Sequence, residues 1–547
     1  MGLRITTLIF IFTLLYTGLG FNIYNLQISK GDYYNAKASS LYSASGVSIP
    51  SRGNIYFRDK DNNLIPAALD KEYPTIFANT KKIVDPTAAA KSLAEILKMP
   101  ASSISKLLSK KDNPYVPLIR RATPSQIESL VLVNIPGVHI DYEPSRLYPF
   151  VKDAAHVLGF VSTEPDNLNG LYGIEKYYNT RLKGTPGVLK GEKTTSPIRG
   201  EDVRLTIDKN IQSQAESILS SLVADYAAVG GSILVQDPKT GQILAMASEP
   251  SFDPNNYGDY SIKSFLNPAA QSVYEPGSIF KVITMAAGID SGAITPDTTY
   301  IDTGELTLNG KTIRNFDKKA HGLLTMTNVI EKSLNLGSAF AEKKMGHETF
   351  YNYLLKFGFK EATHIDLPGE VRGSLGQLEK NPRDINFATA SFGQGISVTP
   401  IGLLKAISAI ANHGVMMQPY LNADIEPQVL GRVISADTSR KVVDMMVGAV
   451  NKNEIARIKG YNIAGKTGTA QVPDFKNGGY TNDVINTFVG FVPAYNPKFV
   501  VMVKLDKAAG APLAGLNVVP AFRQLTQFIL NYYNIPPDNP KELENNQ

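Results

Sequence analysis

Apolar and polar positions divide the chain into stretches of different period. From Ile5 to about Ile23 the residues are uncharged and mostly apolar, through Leu8-Ile9-Phe10-Ile11-Phe12, Leu14-Leu15 and Leu19. That run is just long enough to span a bilayer. Its continuation past Gly18 and Gly20 favours an uncleaved anchor over a signal peptide removed before Phe21. Leu26 to about Ser45 reads as a helical linker. Next, Ser51–Arg58 reads as a strand, Asp59-Lys60-Asp61-Asn62-Asn63 as a turn and Leu64-Ile65 as the return of a hairpin. Asp85-Pro86 caps a helix through Leu97, and Thr123-Pro124 opens another.

The polar stretch Lys193–Asp202, with Pro197 and Gly200, marks a domain boundary. Beyond it Val203–Asp208 reads as a strand capped into a helix. Ser232–Asp237 and Gln242–Ala247 read as strands around the turn Pro238-Lys239-Thr240-Gly241. A helix-rich middle follows, then strands at Thr487–Phe491 and Phe499–Val503, and a closing helix from Leu516 to Tyr533. This order predicts an α+β fold whose second domain is a five-stranded antiparallel sheet flanked by helices. The predicted organisation is a short N-terminus and anchor at 1–28, a mixed α+β structural domain at 29–200, a second domain at 201–535 and a polar, disordered tail at 536–547.

One helix is apolar nearly all round: the run Val282-Ile283-Thr284-Met285-Ala286-Ala287-Gly288-Ile289 after the Pro276-Gly277 turn. Such a helix belongs inside. At its start Ser278 and Lys281 stand at i and i+3, on one face. In a dry pocket the ammonium is disfavoured, so the amine can take the hydroxyl proton. The pattern is short, and the chain repeats it at Ser103 and Lys106 in a polar stretch that reads as a solvated helix end. Taken alone, either copy is more often a helix cap beside a solvated lysine.

Composition narrows the chemistry. The 547 residues include no cysteine, which excludes thiol nucleophiles, disulfides and Cys-based zinc sites. The six histidines form no metal-binding spacing, so no metal and no cofactor is expected. No Gly-x-Ser-x-Gly elbow supports a Ser-His-Asp triad. A net charge of +5 spread along the chain gives no nucleic-acid patch.

Two downstream elements separate the Ser-x-x-Lys copies. Ser333-Leu334-Asn335 stands at the start of a helical run. Lys466-Thr467-Gly468-Thr469 follows Gly465, and the glycines on either side of the Lys-Thr pair predict a strand edge that something approaches closely. Ser-x-x-Lys, Ser-x-Asn and Lys-Thr-Gly in that order are the signature of penicillin-binding proteins and related β-lactamases.

With these motifs the chain resembles the class B penicillin-binding proteins, monofunctional peptidoglycan D,D-transpeptidases, almost end to end. Arg52-Gly53-Asn54-Ile55 with Arg58-Asp59, Arg146-x-Tyr148-Pro149, and Gly170 with Gly173-Ile174-Glu175 resemble the family's non-catalytic motifs. Ser391-Phe392-Gly393-Gln394-Gly395 and Val398-Thr399-Pro400 are also family-like. Glu275-Pro276-Gly277-Ser278 and Gly490-Phe491-Val492-Pro493 look more like the septal (FtsI or SpoVD) branch than the elongation branch. Leu334 departs from the family, which more often has a small or polar residue there, and its side chain is expected to point away from the cleft.

The resemblance implies an elongated, non-catalytic pedestal domain of the dimerisation type at 29–200, a serine β-lactamase-like transpeptidase domain at 201–535, and the following roles. Lys281 deprotonates Ser278, which attacks the penultimate D-Ala carbonyl of a stem peptide, and the N–H groups of Ser278 and Thr469 hold the oxyanion. Ser333 and Asn335 relay protons and hold the donor, while Lys466 and Thr467 bind the terminal carboxylate. Gly468 completes the binding strand with Thr469. A stem-peptide amine resolves the acyl-enzyme, and β-lactams acylate Ser278 and stay. The implied setting is the outer face of the cell membrane, with a SEDS-type glycosyltransferase and other divisome proteins as partners. Elongation-type transpeptidation, D,D-carboxypeptidation, a β-lactamase or sensor, and a non-catalytic divisome scaffold are the alternatives.

Overall fold

The computed structural model describes residues 2–24, 47–48, 50–110, 113, 115–162, 168–190, 193–454, 456–474, 476–510 and 513–544. The expected linker at 26–45 lies outside these residues. Helix α1 is Gly2–Tyr24. Its described side chains, Phe10 and Phe12 to Tyr24, are exposed all round; those of residues 2–9 and 11 lie outside the description. Among the described residues no helix is long and apolar enough to cross a membrane.

The N-terminal domain is built on a long antiparallel ribbon. Strand β1 (Ile55–Arg58) turns back into β2 (Leu64–Ala78). The Asp59 carboxylate closes the turn by accepting from the N–H groups of Asp61 and Asn63, each at 2.9 Å. Helices α2 (Pro86–Leu97) and α3 (Ala101–Leu108) follow, then β3 (Val116–Ile119), α4 (Pro124–Val133) and β4 (Val138–Leu147). Both expected caps form: Asp85 accepts from the N–H groups of Thr87 and Ala88, and Thr123 and Gln126 make a reciprocal capping box. β2 pairs with β1, β3 and β4. Ser103 and Lys106 are exposed on α3, at the surface of this domain.

Three charged residues of the family-like motifs in this domain are buried together. Arg52, Arg146 and Glu175 are 2%, 1% and 0% exposed, which makes them internal packing groups and not a contact surface. Glu175 receives Arg52 Nε at 2.6 Å and Arg146 Nε at 2.7 Å. Arg146 Nη1 also reaches Asp70 at 2.9 Å, and its Nη2 donates to the Gly53 carbonyl at 2.8 Å. A Cβ on Gly53 would stand 2.0 Å from the Glu201 carbonyl oxygen, so only glycine lets the two backbones pass.

Strand β5 (Val203–Asp208) pairs in parallel with β1, with Ile55 opposite Val203. The sequence places it at the opening of the second domain. It is a shared element: it completes the first sheet, and Asp208 caps α5 (Lys209–Asp225) of the second domain.

The second domain is the expected five-stranded antiparallel sheet. Its strands are β6 (Gly230–Gln236), β7 (Ile243–Glu249), β8 (Ala464–Pro473), β9 (Tyr480–Val492) and β10 (Phe499–Asp506), in the order β7–β6–β10–β9–β8. Side chains alternate between two cores. Ile233, Val235, Val501 and Val503 pack with α5 and the closing helix at Val518–Tyr532. Leu234 and Met502 face the central helices instead. Among those are α6 (Phe280–Asp290), α7 (Met326–Lys332) and α8 (Asn335–Met345). Every residue of α6 from Phe280 to Ile289 is buried, as its composition predicts.

The middle of the chain is less purely helical than expected. It holds short strands at Thr299–Asp302, Glu305–Leu308, Lys311–Arg314 and Gly322–Thr325, paired as two small sheets. The end of the chain also differs. Where a polar disordered tail is expected, the Asp538 carboxylate accepts from Asn462 N–H at 2.8 Å, Glu542 pairs with Arg457, and Leu543 packs on Gly460. Residues 545–547 lie outside the described residues.

Candidate active site

Ser278 sits on a single 3-10 turn, Gly277–Ile279, that feeds directly into α6. Gly277 adopts φ +57°, and a Cβ there would press on Ala470 Cβ at 3.0 Å. The Gly277 N–H donates to the Gly393 carbonyl at 3.1 Å, and Gly393 has no room for a side chain either, with the Gly277 oxygen 2.3 Å from where its Cβ would be. The Ser391–Gly395 motif is thus the platform under the nucleophile turn.

Lys281, one turn later, is fully buried. Its Nζ lies 3.0 Å from Ser278 Oγ, 2.6 Å from the Ser333 carbonyl oxygen and 3.3 Å from Ser333 Oγ. Burial, and then the charge of neighbouring Lys466, hold its ammonium well below the usual lysine value. An amine held this way is available as a base to the hydroxyl it touches.

Ser333 ends α7 in the left-handed region, φ 58°. For a residue other than glycine that conformation costs about 1–3 kcal/mol and persists only where the surroundings impose it. Here it turns the carbonyl and hydroxyl of one residue towards both lysines. Lys466 Nζ is 2.9 Å from Ser333 Oγ and 3.0 Å from the Thr467 carbonyl. Lys466 is 3% exposed, and burial pulls its pKa down to about 7. Ser278, Lys281, Ser333 and Lys466 therefore form one chain of contacts.

β8 is the outer strand of the sheet, and its free edge lies against the nucleophile turn. A Cβ on Gly468 would meet Ile279 Cγ1 at 3.0 Å and the Pro276 oxygen at 3.1 Å. The close approach that the sequence predicts at Lys-Thr-Gly is thus the nucleophile turn itself on Gly468, while Gly465 makes room for Phe488. Thr467 and Thr469 stand on the partly open face, and Thr469 Oγ1 reaches Asn486 Oδ1 at 3.2 Å. A cleft of ≈ 290 Å³ opens beside Ser333, Lys466, Thr467 and Thr469.

Asn335 is held differently from Ser333. Its Nδ2 donates to the Arg314 carbonyl at 2.8 Å, tying the amide to the end of the short strand Lys311–Arg314. Leu334 is 3% exposed and packs in the core, away from the cleft as expected.

Sequence reasoning missed Asn315 and Asp302. Asn315 Oδ1 accepts from the N–H groups of Asn335 at 3.0 Å and Leu336 at 3.3 Å, capping α8 from another segment. Asp302 holds it by accepting from Asn315 Nδ2 at 3.0 and 2.9 Å. Both are buried. A single Asn after a four-residue strand leaves no periodic signal.

A serine with a buried amine as base, a second buried amine beside a strand edge and a hydroxyl between them make an acyl-transfer site. The comparisons agree. Residues 231–527 match the penicillin binding protein transpeptidase domain, and residues 47–205 match the penicillin-binding protein dimerisation domain. The chain belongs to the class B penicillin-binding proteins, serine enzymes of the peptidoglycan D,D-transpeptidase family. It is 33% identical to stage V sporulation protein D of Bacillus subtilis (strain 168), over 92% of this chain and 80% of that protein. It is 28% identical to peptidoglycan D,D-transpeptidase FtsI of Escherichia coli (strain K12), over 94% of this chain and 88% of that protein. The crystal structure of penicillin binding protein 3 from Mycobacterium tuberculosis complexed with aztreonam superposes with a TM-score of 0.70 at 27% identity, covering 90% of this chain and 98% of that one.

Proposed function

We propose that this enzyme cross-links peptidoglycan stem peptides at the division septum through an acyl-enzyme on Ser278. The observation that carries the reading is the 3.0 Å contact between Ser278 Oγ and a fully buried Lys281. Lys281 takes the hydroxyl proton as Oγ bonds to the penultimate D-Ala carbonyl. The N–H groups of Ser278 and Thr469 receive the oxyanion. The proton passes through Ser333 to the leaving D-Ala nitrogen, whose carboxylate Lys466 and Thr467 hold. Gly468 keeps the strand close, and Asn335 lines the donor's path. The amine of a second stem peptide then displaces the serine. Intact-mass measurement after benzylpenicillin should show one adduct, mapping to Ser278, and a stem-peptide donor with an amine acceptor should give the amide product. Release of D-Ala to water with no amide product would turn the reading to a D,D-carboxypeptidase.

The two lysines set an expected pH profile. Lys281 must be neutral to act as base, so acylation falls as pH drops through its lowered pKa. Lys466 must be charged to hold a carboxylate, so acylation also falls as pH rises through about 7. Because both touch Ser333, the limbs belong to the pair. Lys466→Arg keeps its charge and should move the alkaline limb of the benzylpenicillin acylation constant to higher pH. An unmoved limb would assign it to another group.

The uncharged, mostly apolar sequence from Ile5 to about Ile23 supports a single membrane anchor with the two domains outside the cytoplasm, where a SEDS-type glycosyltransferase and divisome proteins would meet it. Protease added to spheroplasts should degrade all but a short N-terminal piece; full protection would reverse the topology.

A further inference from the structure

The start of α8 has no cap of its own. Leu334 stands at the N-cap position, and its side chain carries no acceptor. Asn315 supplies one from outside the helix. Its Oδ1 takes the first two N–H groups, those of Asn335 and Leu336, at 3.0 and 3.3 Å. The residue before it, Arg314, accepts the Asn335 side-chain amide on its carbonyl. One dipeptide thus holds Asn335 by main chain and side chain together. Fixing one N–H of the planar amide also fixes the direction of its second N–H and of its oxygen.

Asn315 is itself held. Asp302 is 1% exposed, and each of its oxygens receives two hydrogen bonds. Oδ1 accepts from Gly304 N–H at 2.9 Å and from Asn315 Nδ2 at 3.0 Å. Oδ2 accepts from Tyr300 OH and from Asn315 Nδ2, both at 2.9 Å. All four bonds come from uncharged groups, a costly way to keep a carboxylate inside a protein. An asparagine amide can face either way round. A carboxylate only accepts, so Asp302 draws Nδ2 towards itself and turns Oδ1 to α8. The Tyr300 ring lies on the same helix: it stacks on Phe340, and a Cβ on Gly337 would stand 2.8 Å from its hydroxyl oxygen. The strand Thr299–Asp302 is therefore locked to α8 twice, by the ring and through the Asp302–Asn315 pair. A polar residue at position 334 could cap the helix locally. The buried pair does more, because it ties Asn335 to a second segment.

We infer that Asp302 and Asn315 are positioning residues for the acylation of Ser278, acting through Asn335. This rests on the proposed function, in which Asn335 lines the path of the acyl donor. Neither residue touches the donor. Together they hold the Asn335 amide in place before the donor arrives, so that none of its binding is spent on ordering that amide.

The test is the rate constant for acylation of the full-length protein by benzylpenicillin, read by intact mass. Asn315→Ala should lower it roughly ten- to a hundredfold, the scale on which a misplaced positioning group costs rate. Asn335→Ala should lower it comparably, and the double variant should be no slower than Asn335→Ala alone. A merely structural loss would add to the effect of Asn335→Ala, so additive losses overturn the inference. An Asn315→Ala protein that acylates like wild type overturns it as well. Asn315→Asp sets two carboxylates against each other and should be as slow as Asn315→Ala. Adding Asp302→Asn exchanges the partners: the carboxylate at position 315 still accepts from α8, and the amide at position 302 supplies the donor between them. That exchange should restore acylation to within about threefold of wild type. The exchange also decides the matter should the single variants fail to fold. An exchanged protein that does not fold, or that folds and stays slow, overturns the inference, because the pairing is then not what the site requires. Each of these failures leaves the transpeptidase reading standing while wild type takes benzylpenicillin on Ser278; absence of that adduct in wild type refutes the reading itself.

Discussion

Lys281→Ala should slow acylation of Ser278 by benzylpenicillin roughly 10²–10⁴-fold, the usual worth of a positioned general base. The amine lies 3.0 Å from the nucleophile, and burial holds its pKa well below the usual lysine value. Removing it leaves a hydroxyl of ordinary acidity and a cavity in which Lys466 alone faces Ser333. Ser278→Ala should abolish the covalent adduct altogether. Ser103→Ala and Lys106→Ala should change nothing, because both residues are solvated on α3 of the other domain. The measurement is the rate of fluorescent-penicillin labelling followed by peptide mapping. Labelling that persists in Ser278→Ala, on any other residue, would overturn the assignment of the nucleophile.

Much of this site is legible in the sequence because its parts are local. A buried helix after a Pro-Gly turn announces itself by composition, and Ser278 and Lys281 meet one turn apart. The strands of the central sheet read well because β6 and β10 are buried on both faces and run nearly continuously apolar. What the sequence conceals is contact between distant segments. Nothing local in Asn315 says that it caps α8, and nothing in Ser333 forecasts a left-handed backbone imposed by its neighbours. β5 reads as the start of the second domain because it follows a polar boundary, yet its partner β1 lies some 150 residues earlier. The short strands between Thr299 and Thr325 carry polar and apolar residues in runs of four, too brief for either period to show. The polar end of the chain docks through Asp538 and Glu542, by ionic contacts that a hydrophobicity pattern does not record.

Glu175→Ala should destabilise the N-terminal domain by about 3–5 kcal/mol, the cost of leaving buried charges without their partner. Glu175 is the hinge of the network: Arg52 and Arg146 each give it an Nε bond, and removing it leaves two guanidinium groups facing each other away from solvent. Burial alone would raise its pKa, but Arg146 and then Arg52 more than offset that, so its carboxyl sits below the ordinary value. The sign follows: this stability is complete above the unfolded carboxyl pKa of about 4.3 and is lost as pH falls through the lower folded value. Arg52→Ala is milder, since Arg146 remains on Glu175 and Asp70. Neither change touches Ser278, Lys281, Ser333 or Lys466, so benzylpenicillin acylation should stay within about threefold of wild type while the domain remains folded. In the cell both variants should complement poorly. Chemical denaturation should show the early loss of one transition in Glu175→Ala. A variant with unchanged denaturation but no penicillin binding would place Glu175 in communication with the active site, and would refute its role as a packing group of the first domain.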